Sequence, residues 1–256
     1  MKLISTIIPV YNTAKFLCRC LDSLIAAQPD ELENEIILVN DGSTDNSLTL
    51  CQQYADKYNC IKVYSQNNQG PSAARNLGIK MAQGKWITFV DSDDWVDANY
   101  FSLIINYIDN YPTVDVFVYN YYKSYDTHKS LDRLTAEYFK VLSHRDVLSL
   151  LRNTYDSKFL LFTPNKVYAR SVCKENFFYE DISLGEDTLF NLKAVLIAST
   201  FCSWMRLITI NTIMSCRLRA KSINQIWLLI WSDILPRSWQ YIRSMKNFVK
   251  MYTFKI

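Results

Sequence analysis

Blocks of apolar and polar residues alternate along the first 120 residues and predict strands and helices in turn. Continuous apolar runs predict buried strands at residues 3–10, 35–39, 61–65, 86–90 and 114–119. Helically spaced apolar residues predict intervening helices at residues 13–27, 46–58, 72–81 and 99–108. Apolar strands separated by amphipathic helices are typical of a mostly parallel sheet covered on both faces. The pattern therefore predicts an α/β fold.

Polar clusters come directly after three of the predicted strands. Tyr11 and Asn12 follow the first strand, "NDGSTDNS" (40–47) the second, and "DSDD" (91–94) the fourth. The carboxyl ends of the strands in such a sheet are where ligands bind. The chain has no GxGxxG after its first strand and no GxxxxGK[ST], which disfavours dinucleotide and P-loop chemistry.

The "DSDD" cluster carries the strongest chemical signal. Asp94 or Asp97 would serve as a cap of the next helix, but capping does not explain two acids at i and i+2, Asp91 and Asp93. Neighbouring carboxylates raise each other's pKa unless a cation neutralises them. Their hard oxygens at this spacing suit Mg²⁺ or Mn²⁺ shared with a diphosphate. The cluster therefore predicts a divalent cation that serves a phosphate leaving group.

Asp41 and Arg75 each allow a structural and a functional interpretation. Asp41, at the edge of a strand, is placed to accept hydrogen bonds from a base or ribose, whereas Asp45 and Ser47 are explained by helix capping. Arg75 lies one turn inside a predicted helix. It is either a surface arginine or part of a site for phosphate or a uracil carbonyl at the helix N-terminus.

Glu186 and Asp187 begin a predicted amphipathic helix within residues 183–196. Acids in the first turn stabilise the helix dipole, and this alone would explain them. A carboxylate directed into a cleft would instead serve as a general base for a sugar hydroxyl. The sequence pattern leaves both interpretations open.

The remaining composition indicates a protein of a reducing compartment. The 256 residues include seven cysteines without a CxxC pair, and neither His128 nor His144 has metal-ligand spacing to a partner. The start, "MKLISTIIPVYN", is too short for a signal peptide core, and no apolar run reaches the length of a membrane span. We therefore expect a cytoplasmic location.

The C-terminal end differs in charge from the rest of the chain. From Arg217 onward there are eight Lys/Arg and one acid, a charge of +7, whereas the remainder has 20 Lys/Arg and 24 Asp/Glu, a charge of −4. The tail, residues 226–256, is either a helical pair packed on the body or a basic aromatic surface for an anionic membrane at the inner face of the cell. The acidic body disfavours a nucleic-acid partner.

Five segments occur together in the order and approximate spacing of the family 2 glycosyltransferases: "STIIPVYN", "ILVNDGSTDNS", "NQGPSAARNLGI", "ITFVDSDDW" and "GEDTLFN". The chain resembles this family over roughly residues 3–225. The resemblance implies a GT-A fold, with a Rossmann-like, mostly parallel sheet flanked by helices. It divides a 1–225 domain into a nucleotide-binding half, 1–97, and an acceptor-binding half, 98–225, followed by the helical, basic tail.

The resemblance also implies an activity. It predicts an inverting, Mn²⁺- or Mg²⁺-dependent hexosyl- or N-acetylhexosaminyltransferase. The donor would be a nucleotide-diphosphate sugar, expected to be a UDP-sugar, and the acceptor a saccharide or lipid-linked hydroxyl in lipopolysaccharide, capsule or exopolysaccharide synthesis. Two alternatives are a nucleotide-sugar-binding protein without catalysis and a phosphotransferase with a nucleophilic aspartate. The latter class places its acids after the first strand, not the fourth.

Site roles follow from the resemblance position by position. Asp187 would be the base with Glu186 beside it, and Asn165 and Lys166 of "PNKVY" would contact the acceptor. The metal would be held by Asp93, with Asp91 contacting the ribose or a metal-bound water. No histidine follows His144, so the third protein ligand is in doubt and water could take its place. The nucleotide-sugar would be contacted by Pro9, Tyr11, Asn12, Asp41, Arg75, Asp91 and Ser92.

Overall fold

An eight-stranded sheet forms the centre of the protein in the computed structural model. The structure describes residues 3–29, 34–119, 121–125, 128–132, 140–143, 162–182, 185–205 and 210–213. The predicted C-terminal tail, residues 226–256, lies outside these described residues.

The described strands and helices alternate through the first half of the chain, as the apolar pattern predicts. The strands are β1 (Ile4–Val10), β2 (Glu35–Asp41), β3 (Ile61–Gln66), β4 (Trp86–Phe89), β5 (Trp95–Val96), β6 (Val116–Tyr119), β7 (Tyr121–Tyr125), β8 (His128–Asp132), β9 (Lys140–Ser143), β10 (Lys166–Ala169), β11 (Thr200–Met205) and β12 (Ile210–Ile213). The helices are α1 (Ala14–Ala26), α2 (Ser47–Lys57), α3 (Pro71–Met81), α4 (Tyr100–Asn110), α5 (Arg170–Lys174) and α6 (Glu186–Ile197).

The large sheet has the strand order β3-β2-β1-β4-β10-β6-β11-β9. Strands β3, β2, β1 and β4 are mutually parallel, which places the loops after β1, β2 and β4 at one edge of the sheet. Strand β10 inserts antiparallel between β4 and β6, and β9 pairs antiparallel with β11. The predicted α/β architecture is confirmed, and it is a mixed sheet rather than a purely parallel one.

Burial explains why the N-terminal strands could be located from sequence. All seven residues of β2 are buried, and in β1 only Pro9 is partly accessible. Helix α1 covers them with one apolar face formed by Leu17, Cys20, Leu21 and Leu24. Strand β2 continues two residues beyond its predicted end, so that Asp41 belongs to the strand itself.

A second sheet of four strands, in the order β5-β12-β7-β8, follows the loop after β4. Strand β12 pairs antiparallel with β5 and parallel with β7. Because β5 starts at Trp95, this sheet continues directly from the "DSDD" segment. In the described part of the chain, every helix is too short or too polar to cross a bilayer.

Candidate active site

Asn12 ties the loop after β1 to the loop after β2. Its backbone has a φ of 52°, a left-handed conformation that asparagine tolerates better than most residues. The Oδ1 atom of Asn12 accepts hydrogen bonds from the backbone N–H of Thr44 at 2.8 Å and of Asp45 at 3.3 Å. The backbone N–H of Asn12 donates to Ser43 Oγ at 3.2 Å. This predicted nucleotide-binding residue therefore also builds the loops around it.

Asp41 fixes the loop between β3 and α3. Its Oδ1 accepts from Gln66 Nε2 at 2.8 Å and from the backbone N–H of Gln69 at 2.9 Å. Its Oδ2 accepts from the backbone N–H of Gly70 at 2.8 Å. A carboxylate has about four acceptor positions, so three donors leave about one for a ligand. The buried carboxylate of Asp41 thus combines a positioning role with capacity for the predicted contact to a base.

Gly42 allows the loop after β2 to approach the loop between β3 and α3 closely. Its φ of 69° is a conformation that residues with a Cβ rarely adopt. A Cβ at this position would lie 2.8 Å from the backbone nitrogen of Asn68. The glycine of "NDGS" is therefore required by the backbone geometry beside Asp41.

Pro9 and Tyr11 lie at the end of β1, next to these loops. Pro9 is half-buried within the strand, whereas Tyr11 is 46% exposed, unusually so for a large apolar side chain of this protein. An exposed aromatic ring at the carboxyl edge of a parallel sheet is available for stacking on a planar ligand. Their predicted role in nucleotide binding stays a prediction with which these positions agree.

Helix α1 holds the acidic loop that follows β4. The guanidinium of Arg19 lies 3.8 Å from the centre of the Trp95 ring and donates to the backbone carbonyl of Asp93 at 3.1 Å. The Sγ atom of Cys20 lies 3.7 Å from the backbone carbonyl of Asp91. These contacts use main-chain atoms of the acids. Their carboxylates therefore stay available for other partners.

The residues of the "DSDD" loop differ in burial. Ser92 and Asp94 are buried, whereas Asp91 and Asp93 are partly accessible. Desolvation raises the pKa of Asp91 although 39% of its side chain is exposed, and Asp187 adds to the rise while Arg75 opposes it. Desolvation and then the charge of Asp91 raise the pKa of Asp93. A bound cation would relieve this repulsion, as the sequence pattern predicts.

Arg75 joins the two acidic clusters, which lie far apart in the sequence. Its Nη2 donates to Asp91 Oδ1 at 3.1 Å, and its Nη1 donates to Asp187 Oδ1 at 3.2 Å. Glu186 Oε1 lies 3.8 Å from the same Nη1. The guanidinium also lies over the ring of Phe178, 5.4 Å from its centre. The structure thus brings four of the predicted site residues into direct contact.

The environment of Arg75 is that of a buried cation and not of a surface arginine. The residue is 5% exposed, and its Nε is buried without a hydrogen-bond partner among the described residues. Burial lowers the pKa of Arg75, but the charges of Asp187, Asp91 and Glu186 together raise it above its ordinary value. The guanidinium therefore stays charged between the two clusters.

Asp187 is held by protein groups on both carboxylate oxygens. While Arg75 binds Oδ1, the backbone N–H of Thr163 donates to Oδ2 at 3.1 Å. Both acids lie in the first turn of α6, after Gly185, whose φ is 91°. Desolvation and then the charge of Asp187 raise the pKa of Glu186. The side chain of Asp187 thus has a fixed orientation.

Asn165 and Lys166, the predicted acceptor-binding residues, are almost fully buried. The Nζ atom of Lys166 donates to the backbone carbonyl of Phe162 and, at 2.7 Å, to Asn165 Oδ1. The Nδ2 atom of Asn165 donates to the backbone carbonyl of Tyr119 at 3.2 Å. Burial lowers the pKa of Lys166 to about 7, and the charge of Asp187 opposes this shift. Acceptor binding by these side chains stays a prediction, although both side chains contact protein groups.

Three site residues were missed by the sequence analysis. Thr163 acts through its main-chain N–H, which has no side-chain signature. Arg19 donates to the backbone carbonyl of Asp93, 74 residues further along the chain, and the helical pattern around Arg19 does not predict this contact. Asn76 anchors the loop before α6 by donating to the carbonyl of Phe178 at 2.9 Å. The sequence clue to Asn76 was its position directly after Arg75, in a helix that otherwise has mostly small residues at its start.

The donor set of the acidic loop fits a hard divalent cation. Among the residues that the structure describes, no three His, Cys, Asp or Glu side chains form a metal-ligating group. The protein would thus supply two carboxylates, those of Asp91 and Asp93. A diphosphate and water would supply the further oxygens that Mg²⁺ sites commonly require. One oxygen of Asp91 is bound to Arg75, and the other is left for a cation.

Comparisons with known proteins agree with this architecture. Residues 5–177 match the family model described as glycosyl transferase family 2. Glycosyltransferase GlyA of Streptococcus pneumoniae is 32% identical over 245 residues, which are 91% of this chain and 33% of GlyA. Glycosyltransferase EpsJ of Bacillus subtilis, described as uncharacterized, is 34% identical over 194 residues, 75% of this chain and 56% of EpsJ. The chain thus spans between a third and about half of these relatives.

The solved structure of Staphylococcus aureus TarS, residues 1–349 in complex with UDP-GlcNAc, has the same fold. It superposes with a TM-score of 0.73 at 26% identity, covering 90% of this chain and 65% of that one. The structure of the same fragment with UDP gives a TM-score of 0.69 at 27% identity, covering 84% of this chain and 61% of that one. The predicted fold and family are therefore confirmed: this chain belongs to glycosyl transferase family 2 and has the GT-A fold.

Proposed function

We propose that this chain is an inverting, metal-dependent glycosyltransferase that moves a sugar from a UDP-sugar to a hydroxyl of a saccharide or lipid-linked acceptor in bacterial surface-polysaccharide synthesis. The observation that carries the proposal is the contact of Arg75 with Asp91 on one side and Asp187 on the other. Under this proposal a diphosphate site and a base carboxylate lie next to each other, linked by this arginine. Donor chemistry is further supported by the UDP-GlcNAc complex of TarS.

The nucleotide would bind at the loops after β1 and β2. Tyr11 offers its exposed ring for stacking on the base, and Pro9 would bracket the base with it. Asp41 offers its remaining acceptor position to a uracil N–H. Asn12 would act mainly by shaping the loops, because its amide oxygen already accepts bonds from Thr44 and Asp45.

Asp93 and Asp91 would hold the Mn²⁺ or Mg²⁺ that the family resemblance implies, and Ser92 between them is buried. When bound, such an ion supplies positive charge that stabilises the negative charge developing on the leaving diphosphate. A bound cation would lower the raised pKa values of these acids, because it stabilises their ionised forms. The hydrogen bond from Arg19 to the Asp93 carbonyl holds the loop backbone from which both carboxylates project.

Asp187 would remove the proton from the acceptor hydroxyl. The acceptor oxygen attacks the anomeric carbon as the bond to the diphosphate breaks, the diphosphate leaves with the bonding electron pair, and Asp187 keeps the proton. Attack from the face opposite the leaving group inverts the anomeric configuration in one displacement. The orientation of Asp187, fixed by Arg75 and Thr163, is the property that a general base needs. Glu186 beside it adds negative charge.

The cellular setting extends the same proposal. The family resemblance implies a cytoplasmic enzyme, and the basic aromatic residues of 226–256 predict contact with an anionic membrane surface that carries a lipid-linked acceptor. Sedimentation of the full chain with anionic liposomes at low salt tests this contact. No sedimentation would contradict it.

The test of the proposed function is a titration of the full chain with UDP in the presence of Mn²⁺ and then of EDTA. We expect binding with Mn²⁺ and much weaker binding with EDTA. A panel of UDP-sugars with saccharide and lipid-linked acceptors follows, with the anomeric configuration of the product measured by NMR. An inverted product confirms the proposal. UDP binding without consumption of any donor would favour a nucleotide-sugar-binding protein, and a covalent phosphate on Asp91 would favour a phosphotransferase.

A further inference from the structure

Lys166 is a buried cation whose role the proposed function leaves unexplained. It begins β10, is 1% exposed, and its ammonium group donates to the carbonyl of Phe162 and to Asn165 Oδ1. Burying a charged group costs several kcal/mol, and an apolar side chain of similar size often serves packing as well or better. The lysine therefore calls for a reason beyond filling space.

The carbonyl that Lys166 binds belongs to the segment carrying the amide that holds Asp187. Phe162 precedes Thr163, whose N–H donates to Asp187 Oδ2. The Phe162 carbonyl also accepts a bond from Asn191 Nδ2 at 3.1 Å, so two buried side chains hold it. A peptide group is planar, so holding the carbonyl of Phe162 fixes the direction of the Thr163 N–H.

The rest of the segment is anchored on its opposite side by the core. Tyr119 donates from its hydroxyl to the Pro164 carbonyl at 2.6 Å and from its backbone N–H to the Asn165 carbonyl at 3.0 Å. Thr88 donates from Oγ1 to the Lys166 carbonyl at 3.0 Å. These bonds hold the segment from Pro164 to Lys166, while Lys166 and Asn191 bind the carbonyl of the preceding Phe162–Thr163 peptide.

We propose that Lys166 is a positioning residue for the general base: by binding the Phe162 carbonyl, its ammonium group directs the Thr163 amide onto Asp187 and so orients that carboxylate. The inference rests on the proposed role of Asp187. It gives Lys166 a function that differs from the acceptor binding predicted from sequence, and it explains a buried cation close to a base. Lysine suits this task because three N–H donors allow its one ammonium group to bind several acceptors.

The test compares the wild type with Lys166→Met, which keeps an unbranched side chain one atom shorter and removes its donors. The probe is UDP-GlcNAc, and UDP release is measured with water as the acceptor in place of a hydroxyl. We expect kcat to fall about 100-fold with a KM for UDP-GlcNAc within about two-fold of wild type, the effect of misplacing a catalytic group by roughly 1 Å. Hydrogen exchange of the 162–166 segment should accelerate about ten-fold.

Two further variants keep the comparison interpretable. Asn191→Leu removes the second donor to the same carbonyl, together with the acceptor of the Tyr168 hydroxyl, and should lower kcat by about ten-fold or less. It carries the test if Lys166→Met does not fold. Ser5→Ala removes a buried hydrogen bond to Glu35, 2.7 Å long, at the amino-terminal end of β1. It should change neither kcat nor exchange in the 162–166 segment.

Three results would overturn the inference. These are an unchanged kcat in folded Lys166→Met, an unchanged exchange rate of the 162–166 segment, and a rise in KM that accounts for the whole loss of kcat/KM. The last would indicate substrate binding by Lys166. Failure of the proposed function looks different, because the wild type would then release no UDP from any UDP-sugar. In that case the exchange experiment still decides whether Lys166 holds the Thr163 amide.

Discussion

Two pairs of acids share one arginine but have different surroundings. Asp91 and Asp93 lie on a loop, held through main-chain carbonyls, and only Asp91 uses a carboxylate oxygen to bind Arg75. Glu186 and Asp187 lie in the first turn of a helix, where both oxygens of Asp187 accept hydrogen bonds. We refer to them as the donor-side pair and the acceptor-side pair.

The difference shows how the same residue type is prepared for different chemistry. A cation ligand needs lone pairs that the protein leaves unused, together with a local excess of negative charge. A general base needs one orientation and a neighbour that keeps it ionised. The donor-side pair meets the first description and Asp187 meets the second. Sharing Arg75 places the two pairs, with their two proposed functions, within one ion-pair network.

Replacing the proposed base, Asp187, should have the largest effect on turnover. We expect Asp187→Asn to lower kcat by about 10³- to 10⁴-fold, because the amide cannot accept the proton, while metal-dependent UDP affinity stays within a few-fold. Stopped assays of UDP release, with UDP titration in parallel, measure both quantities. Asp181→Asn, at an exposed acid six residues earlier, is the control and should behave as wild type. Equal losses of turnover and UDP affinity would contradict separate roles for the two pairs.

Removing the shared arginine should destabilise both pairs at once. For Arg75→Met we expect the free energy of unfolding to fall by about 3 kcal/mol at neutral pH, since three carboxylates lose their cation. The value is at the low end for a broken buried ion pair because Asp91 is 39% exposed. Urea denaturation measures it. The deficit should shrink in acid, where the carboxylates are protonated.

The matched control for this prediction is Arg170→Met. Arg170 is half-buried and so more exposed than Arg75, and its guanidinium donates to the backbone carbonyl of Ala82 at 3.1 Å and contacts neither acidic pair. Its loss should cost about 1 kcal/mol, with little dependence on pH. A deficit of the same size and pH dependence in both variants would show that the ion-pair network contributes little.

Replacing the cation ligand should separate the donor-side pair from the acceptor-side pair. We expect Asp93→Asn to weaken Mn²⁺-dependent UDP binding by about 100-fold and to leave the weaker binding in EDTA unchanged. Calorimetric titration with and without Mn²⁺ measures the difference. Asp97→Asn, four residues on and half-buried, is the control. If Asp93→Asn bound UDP with Mn²⁺ as tightly as wild type, the cation role of the loop would be wrong.

The smallest expected effect concerns Lys166 on the acceptor side. Because its folded-state pKa of about 7 lies below the ordinary lysine value, the unfolded chain binds one more proton between pH 7 and 10. Stability therefore rises with pH in this window and is lowest below pH 7, where the buried ammonium is charged. From pH 7 to 9, we expect wild type to gain about 2 kcal/mol relative to Lys166→Met in urea denaturation. A parallel pH dependence in the two proteins would contradict the low pKa.

The sequence predicted the N-terminal half well because its signals are local. Strands such as β2 are buried on both faces and read as continuous apolar runs, and α1 has a single apolar face. The acids of "DSDD" were identified because capping could not account for their spacing. Composition and periodicity are sufficient for such features.

The rest depends on contacts that link distant parts of the chain. The sequence pattern gave no sign that β10 runs antiparallel between β4 and β6, which brings residues near 165 to the middle of the sheet. The pattern around Arg75 alone favoured a surface arginine, and its burial and its contact with Asp187, 112 residues away, follow only from the three-dimensional arrangement. Asn12 was predicted to bind nucleotide, and its left-handed backbone and loop contacts follow only from the three-dimensional arrangement.

The position of Arg75 has a consequence for how such enzymes can be recombined. This arginine belongs to the first half of the chain, but two of its acids and its aromatic neighbour, Phe178, belong to the second. Among the described residues, the first half alone would leave a buried guanidinium with Asp91 as its one ion-pair partner. The first half is therefore not a portable module: a chimera that joins it to the second half of a relative must carry Glu186, Asp187 and Phe178 with it.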